Sequence, residues 1–106
     1  MNIAIITGAS SGLGREFALQ LCHNYAAEID EIWLLARRKE PLLTLAQEIS
    51  ATGICVGAAM PMDITDKEQM KDFQDKLEIE VPTVKYLINA AGLAKLADHS
   101  HCSRKN

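Results

Sequence analysis

The chain begins with a short apolar run that breaks into glycines, and this feature most constrains the fold. Ile3-Ala4-Ile5-Ile6 has the composition of a buried strand and leads into Thr7-Gly8-Ala9-Ser10-Ser11-Gly12-Leu13-Gly14. From Leu13 to about Ala27, apolar residues recur at helical spacing. A strand that passes through a glycine-rich turn into a helix predicts the first βαβ unit of a parallel sheet.

The glycines of this loop have separate physical roles. Gly8 permits a sharp turn off the strand, where a Cβ would clash or forbid a positive φ. Gly12 lets backbone N–H groups approach a pyrophosphate closely, and Gly14 lets the new helix pack tightly on the sheet. The helix is expected to begin near Ser11–Gly12, so that its unpaired N–H groups and its dipole point at the phosphates. Taken alone, the loop is also compatible with an ordinary strand–helix turn.

Three further strands are predicted, at 32–36, 54–59 and 84–89, with helices between them. Thr65-x-x-Glu68 matches a capping box and predicts the start of the third helix. Strands that are apolar throughout indicate a parallel sheet covered on both faces. The prediction is a Rossmann-type three-layer α/β fold, a truncated doubly wound sheet of order 3-2-1-4. Right-handed crossovers then place the first two helices on one face and the third on the other.

Composition limits the partners. The 106 residues are 48% hydrophobic and 24% charged with a net charge of −3, which suits one globular domain and disfavours nucleic acid or an anionic membrane. No basic leader and no run of membrane-spanning length is visible, so a cytoplasmic location is expected. The scattered Cys22, Cys55 and Cys102 indicate free thiols in a reducing compartment. The domain is expected to cover residues 1–97, with a polar tail at 98–106.

Four segments, in order, resemble landmarks of the short-chain dehydrogenase/reductase family. They are the Thr-Gly-x-x-x-Gly-x-Gly loop at 7–14, Leu35-Ala36-Arg37-Arg38, Met62-Asp63-Ile64-Thr65 and Asn89-Ala90-Ala91-Gly92. The resemblance runs from Ile3 to about Ala97. It implies a dinucleotide cofactor and hydride transfer between that cofactor and a carbonyl or alcohol substrate.

The end of the second strand bears on the choice of cofactor. NAD-binding proteins usually carry Asp or Glu there to hold the ribose 2′-OH. Here Ala36 precedes Arg37 and Arg38, which avoids repelling a 2′-phosphate and offers it planar donor forks. NADP is therefore favoured over NAD, with Arg37 the first candidate and Arg38 the second, and with Arg15 adding positive charge near the phosphates. A solvated basic turn is the alternative.

The resemblance gives roles to the later landmarks. It implies that Asp63 hydrogen-bonds the adenine amino group and that Ile64 contacts the ring, although Asp and Thr also occur there as local helix caps. It places Asn89–Gly92 along the cofactor ribose, with Ala90 where the family has a second Asn. The predicted cofactor-binding residues are Gly8, Ser10, Ser11, Gly12, Leu13, Gly14, Arg37, Arg38, Asp63, Ile64, Asn89, Ala90, Ala91 and Gly92.

The family's catalytic Tyr-x-x-x-Lys pair is missing from the sequence. Tyr25 and Tyr86 are the two tyrosines, and the positions four residues on hold Ile29 and Ala90. No catalytic residue is therefore predicted. The chain is interpreted as the cofactor-binding portion of a larger reductase, inactive alone, with a non-enzymatic nucleotide-binding or regulatory module as the alternative.

Two further features concern partners. The fourth strand would be an open edge, so self-association through it is expected, and a small-molecule substrate is expected only with a C-terminal half. His99-x-His101-Cys102 has metal-binding residue types, but alternating residues of an extended tail point to opposite sides and no second ligand pair exists. No metal is predicted.

Overall fold

The computed structural model describes residues 1–10 and 12–90. The elements, in chain order, are β1 (Asn2–Thr7), α1 (Gly12–Tyr25), a 3₁₀ turn (Ala26–Glu28), β2 (Glu31–Ala36), α2 (Lys39–Ala51), β3 (Val56–Pro61), α3 (Lys67–Glu80) and β4 (Thr83–Asn89). The strands pair in parallel, in the order β3-β2-β1-β4. This order confirms the predicted Rossmann-type α/β fold.

The sheet carries a hydrophobic cluster on each face, because successive residues of its strands point to opposite sides. Ala4 and Ile6 of β1 belong to the cluster that also contains α1 and α2 residues such as Leu21 and Leu42. Ile3 and Ile5 belong to the other cluster, with Trp33 and Leu35, against which Phe73 and Leu77 of α3 pack. The predicted division of the helices between the two faces is therefore correct.

The third helix begins differently from the prediction. Asp66 is its N-cap, since its carboxylate accepts hydrogen bonds from the backbone N–H groups of Glu68 (2.9 Å) and Gln69 (3.2 Å). The capping box assigned to Thr65 is wrong by one residue, because the Thr65 hydroxyl is directed to Asp63 instead. The helix ends at Glu80, and its C-cap Val81 takes a left-handed conformation with φ 45°.

The third strand also begins later than predicted, at Val56 and not at residue 54. Its register against β2 pairs Glu31 with Val56 and Ala36 with Pro61, so pairing with the neighbour fixes the bounds. Ahead of it, Gly53 turns with a φ of 73° and Ile54 is half exposed. The predicted extension of the domain from 91 to 97 and the tail at 98–106 lie outside the described residues.

Candidate functional site

The carboxyl ends of the strands are joined by hydrogen bonds at one edge of the sheet. After β1, the backbone N–H groups of Gly8 and Ala9 donate to the Leu35 carbonyl at 2.8 and 3.2 Å. After β3, the Met62 N–H donates to the Ala36 carbonyl at 2.8 Å. These bonds gather the loops that follow β1, β2 and β3 at the edge where open α/β sheets bind their ligands.

Two glycines of the loop are required by the backbone, and a third has open space beside it. Gly8 has a φ of 71°, and a Cβ added to Gly14 would lie 2.2 Å from the Gly8 carbonyl oxygen, so both positions require glycine. A Cβ added to Gly12 would meet nothing within 4 Å. A helix N-terminus carries partial positive charge and favours anions, so the start of α1 is a candidate site for the cofactor phosphates. Ser10 is partly exposed, and Ser11 lies outside the described residues.

Arg37 and Arg38 follow β2 directly, and both are exposed. Within residues 1–10 and 12–90 neither side chain has an ion pair. Arg15 differs from the prediction, since its guanidinium contacts both carboxylate oxygens of Glu48 on α2 at 2.6 Å. That ion pair directs Arg15 to α2, whereas the side chains of Arg37 and Arg38 are exposed after the end of β2.

Asp63, two residues after β3, is held by a local turn. Its Oδ1 accepts hydrogen bonds from the Thr65 hydroxyl (2.6 Å) and the Thr65 N–H (2.9 Å). Its own N–H donates to the Gln69 side-chain oxygen at 2.7 Å. The pKa of Asp63 is lowered below 3.8 by the Thr65 hydroxyl, by the Thr65 N–H and, more weakly, by the Arg37 charge. The carboxylate is therefore ionised at neutral pH and fixed in direction.

Thr65 and Gln69 thus hold Asp63 in position, a role that the sequence analysis did not predict. Asp-x-Thr is the spacing of an Asx turn, in which the aspartate accepts from the backbone two residues on. That spacing was visible in the sequence. Ile64, between the two turn residues, is 38% exposed and lies beside the carboxylate.

The end of β4 joins the same edge through β1. The Thr7 hydroxyl donates to Asn89 Oδ1 at 2.8 Å, and the register pairs these two residues. Ala90 is fully buried in the cluster on the α1 side, which explains why a small residue suits this position. Ala91 and Gly92 lie outside the described residues.

Tyr86 does not have the surroundings of a proton-transfer residue. Its phenol donates to Glu28 at 2.9 Å, and this hydrogen bond raises the pKa of Tyr86. A tyrosine acting as a base near neutral pH needs the opposite shift. Its ring packs at a tilt against Tyr25 with centroids 5.6 Å apart, and its register partner is Ala4, well before the strand ends.

The described part of the chain holds neither a metal-ligand cluster nor a membrane-spanning helix. No group of 3 or more His, Cys, Asp or Glu side chains is placed to hold an ion among these residues. His99, His101 and Cys102 lie outside them. No helix there is long and apolar enough to cross a membrane.

Comparison with known proteins identifies the family. The family model for short chain dehydrogenases matches residues 2–106. A protein of Pseudocercospora fijiensis named a short chain dehydrogenase is 39% identical over 95 residues, which cover 88% of this chain and 28% of that protein. The chain therefore belongs to the short-chain dehydrogenase family, as the sequence motifs predicted.

Solved structures agree with this assignment. The ketoreductase from the first module of phoslactomycin biosynthesis in Streptomyces sp. HK803 matches with a TM-score of 0.70 and 28% identity, over 83% of this chain and 20% of that one. A metagenomic short-chain oxidoreductase in complex with NADP matches with a TM-score of 0.66 and 25% identity, over 81% and 37%. The chain thus spans a fifth to somewhat over a third of the length of these relatives.

Proposed function

We propose that this chain is the NADP-binding portion of a short-chain oxidoreductase that transfers hydride between NADPH and a carbonyl or alcohol substrate. The observation that carries the proposal is the meeting, at one sheet edge, of an open helix N-terminus, two exposed arginines and a fixed carboxylate. These three features match the three parts of an adenosine dinucleotide, namely the pyrophosphate, the 2′-phosphate and the adenine. The NADP complex of a family member is consistent with that choice of cofactor.

Different residues of the chain would bind the different charged and polar groups of the cofactor. The N–H groups at Gly12 and Leu13 would donate to the pyrophosphate, since a helix N-terminus favours anions. Arg37, backed by Arg38, would meet a 2′-phosphate with a bidentate fork. Asp63 would accept a hydrogen bond from the adenine amino group, with Ile64 against the ring.

The end of β4 would guide the rest of the cofactor. The Thr7 hydroxyl fixes the Asn89 side chain by donating a hydrogen bond to its amide oxygen, and the ribose would lie beside this strand end. Bound NADPH supplies the hydride. No tyrosine of this sequence has a lysine four residues on, so we expect the 106-residue chain to bind cofactor without turnover.

Binding of adenosine fragments tests the proposal, because they carry the recognised groups and no nicotinamide. Arg37→Gln should weaken the binding of 2′,5′-ADP about tenfold or more, as expected for a lost charge-assisted pair, and leave 5′-ADP within about twofold. Lys39→Gln, which removes the same charge two residues further along, is the matched control and should change neither. Calorimetric titration of the unmodified full chain and of the two variants with each ligand measures all six affinities.

Three results would count against the proposal. Equal affinity of the unmodified chain for 2′,5′-ADP and 5′-ADP would remove the preference for NADP. Equal losses in Arg37→Gln and Lys39→Gln would make the arginines a general basic surface. Measurable ketone reduction by the chain alone would overturn the expectation that it lacks the catalytic pair.

A further inference from the structure

Two buried thiols meet on the face of the sheet that α1 and α2 cover. Cys22 lies on α1 and Cys55 lies in the connection just before β3, 33 positions later. Their sulfur atoms are 3.6 Å apart, and the side chains are 0% and 7% exposed. Neither residue belongs to the proposed cofactor site, and neither forms a disulfide in the structure.

The direction of the hydrogen bonds around this pair is fixed by Thr52. The Thr52 hydroxyl donates to the Ile49 carbonyl at 2.6 Å, so its single proton is used there. Cys22 Sγ, at 3.5 Å, must then donate to the Thr52 oxygen, while Cys55 donates to Cys22. The chain of donors leaves the two sulfur atoms directly facing each other with no side chain between them.

We propose that Cys22 and Cys55 form a reversible intramolecular disulfide, a modification site separate from the cofactor loop. A disulfide bond is about 2.05 Å long, so the sulfur atoms need to approach by about 1.5 Å. The connection that carries Cys55 can supply this movement, since it is outside α2 and β3 and contains a glycine turn at Gly53. The disulfide bond would link α1 covalently to the connection before β3 and would enclose β2 and α2 in the resulting loop.

A small disulfide such as oxidised glutathione is the oxidant in this step. The Cys55 thiolate, on the more exposed side chain, attacks one glutathione sulfur, and the other leaves as a thiolate that takes up the Cys55 proton. The Cys22 sulfur then attacks the mixed disulfide at Cys55 and releases the second glutathione with its proton. Two protein thiols are oxidised and one glutathione disulfide is reduced to two thiols.

The reduced state persists at neutral pH because attack requires a thiolate. Burial, followed by the hydrogen bond to Cys22, raises the pKa of Cys55 to about 12. The pair is therefore slow to react and needs prolonged equilibration at a moderately alkaline pH. Its equilibrium, and not its rate, reports whether the fold favours the bond.

The location of the pair predicts what the bond changes. Cys22 is about 15 Å along α1 from Gly12, at a rise of about 1.5 Å per residue, so it is remote from the helix N-terminus. Cys55 precedes the first residue of β3, whereas the proposed cofactor site lies beyond the last residue of that strand. Because the pair is remote from the proposed cofactor site, oxidation should leave 2′,5′-ADP affinity within about twofold. As a covalent cross-link, the disulfide bond should raise thermal stability.

Equilibration in glutathione buffers tests the proposal on the full chain with Cys102→Ser, which removes the third cysteine. At half oxidation, the redox ratio is the squared concentration of reduced glutathione divided by the concentration of oxidised glutathione. This ratio should be at least about tenfold higher for the folded chain than for the chain in concentrated guanidinium chloride. Intact mass should fall by two hydrogens and a Cys22–Cys55 peptide should appear. The same chain with Cys22→Ser as well is the control and should show no such peptide.

A second measurement keeps the test independent of glutathione. The oxidised chain should melt several degrees above the reduced chain, and dithiothreitol should reverse the shift. A redox ratio that is equal or lower in the folded chain than in denaturant would overturn the proposal. So would stable glutathione adducts at either cysteine, or disulfide-linked dimers in place of the internal bond.

Discussion

Gly12 and Gly14 lie two residues apart at the start of α1, yet the structure gives them opposite surroundings. A Cβ at Gly14 would lie 2.2 Å from a backbone oxygen, a distance that no side-chain adjustment can relieve. A Cβ at Gly12 would project into open space. One glycine therefore serves packing of the helix on the loop, and the other serves access to the helix N-terminus.

Alanine substitutions separate these two roles. Gly14→Ala should lower the free energy of unfolding by about 3 kcal/mol, the upper end of the range for overpacking. Gly12→Ala should change it by less than about 0.5 kcal/mol but weaken NADPH binding about tenfold, because the methyl group obstructs the approach of the phosphates. Urea unfolding and calorimetric titration measure the two effects. Equal destabilisation by both variants would contradict this division.

Asp63 provides a prediction that depends on pH. Its folded pKa is lowered, chiefly by the Thr65 hydroxyl, so its contribution to stability is present above pH 3.8 and is lost as the pH falls through the folded value. Thr65→Val removes that hydroxyl and should raise the pKa of Asp63 toward 3.8. Carboxyl-carbon NMR titration measures the shift. Thr44→Val removes a hydroxyl on α2 that bonds only its own helix, and it should leave the pKa of Asp63 unchanged.

At the scale of the elements, the start of α3 distinguishes two capping schemes. Asp66 satisfies two backbone N–H groups of the first turn, whereas the sequence pattern had assigned the cap to Thr65. Asp66→Ala should cost about 1 kcal/mol of unfolding free energy, the usual effect of losing a cap. Thr65→Val should cost less than half of that. A larger loss for Thr65→Val, measured by urea unfolding, would restore the capping-box interpretation.

The sequence predicted the elements well because their signals are local. The glycine loop, the apolar strands and the apolar faces of the helices each depend on neighbouring residues, and all four strands and the three helices were predicted. The exact start of β3 was missed because pairing with β2 fixes it. Arg15 was missed for a similar reason, since its partner Glu48 lies on another helix, 33 positions away.

The candidate site, too, was predicted from the sequence only in part. The positions of Arg37, Asp63 and Asn89 at strand ends follow from the order of the elements alone. The hydrogen bonds that direct them, from Thr65 to Asp63 and from Thr7 to Asn89, depend on side-chain geometry in the folded chain. Only the Asp-x-Thr spacing gave an advance indication of these contacts.

At the scale of the whole molecule, the helices of the described residues cover the sheet unevenly. α3 packs over β2 and β1 through Phe73 and Leu77, whereas Leu87 of β4 on the same face is 68% exposed. β4 is also an edge strand, with one side unpaired by the described strands. An exposed apolar side chain beside an open edge favours association of chains.

Self-association through β4 is therefore expected, and Leu87→Lys should weaken it. A charged side chain at an edge strand opposes pairing with another chain. Leu43→Lys, on the exposed side of α2, is the matched control and should leave the association unchanged. Sedimentation velocity over a range of concentrations measures both. A chain that is monomeric at all concentrations would contradict the expectation.

Amide NMR with NADPH as the titrant tests the proposed cofactor site most directly, because it locates binding residue by residue. The shifts should concentrate at Gly8, Gly12, Leu13, Arg37 and Asp63, at the carboxyl ends of the strands. Amides at the opposite end, such as those of Glu28 and Cys55, should move little. Saturable shifts confined to the first group would support an NADP site built on the glycine loop. An absence of shifts, or shifts centred on the second group, would contradict it.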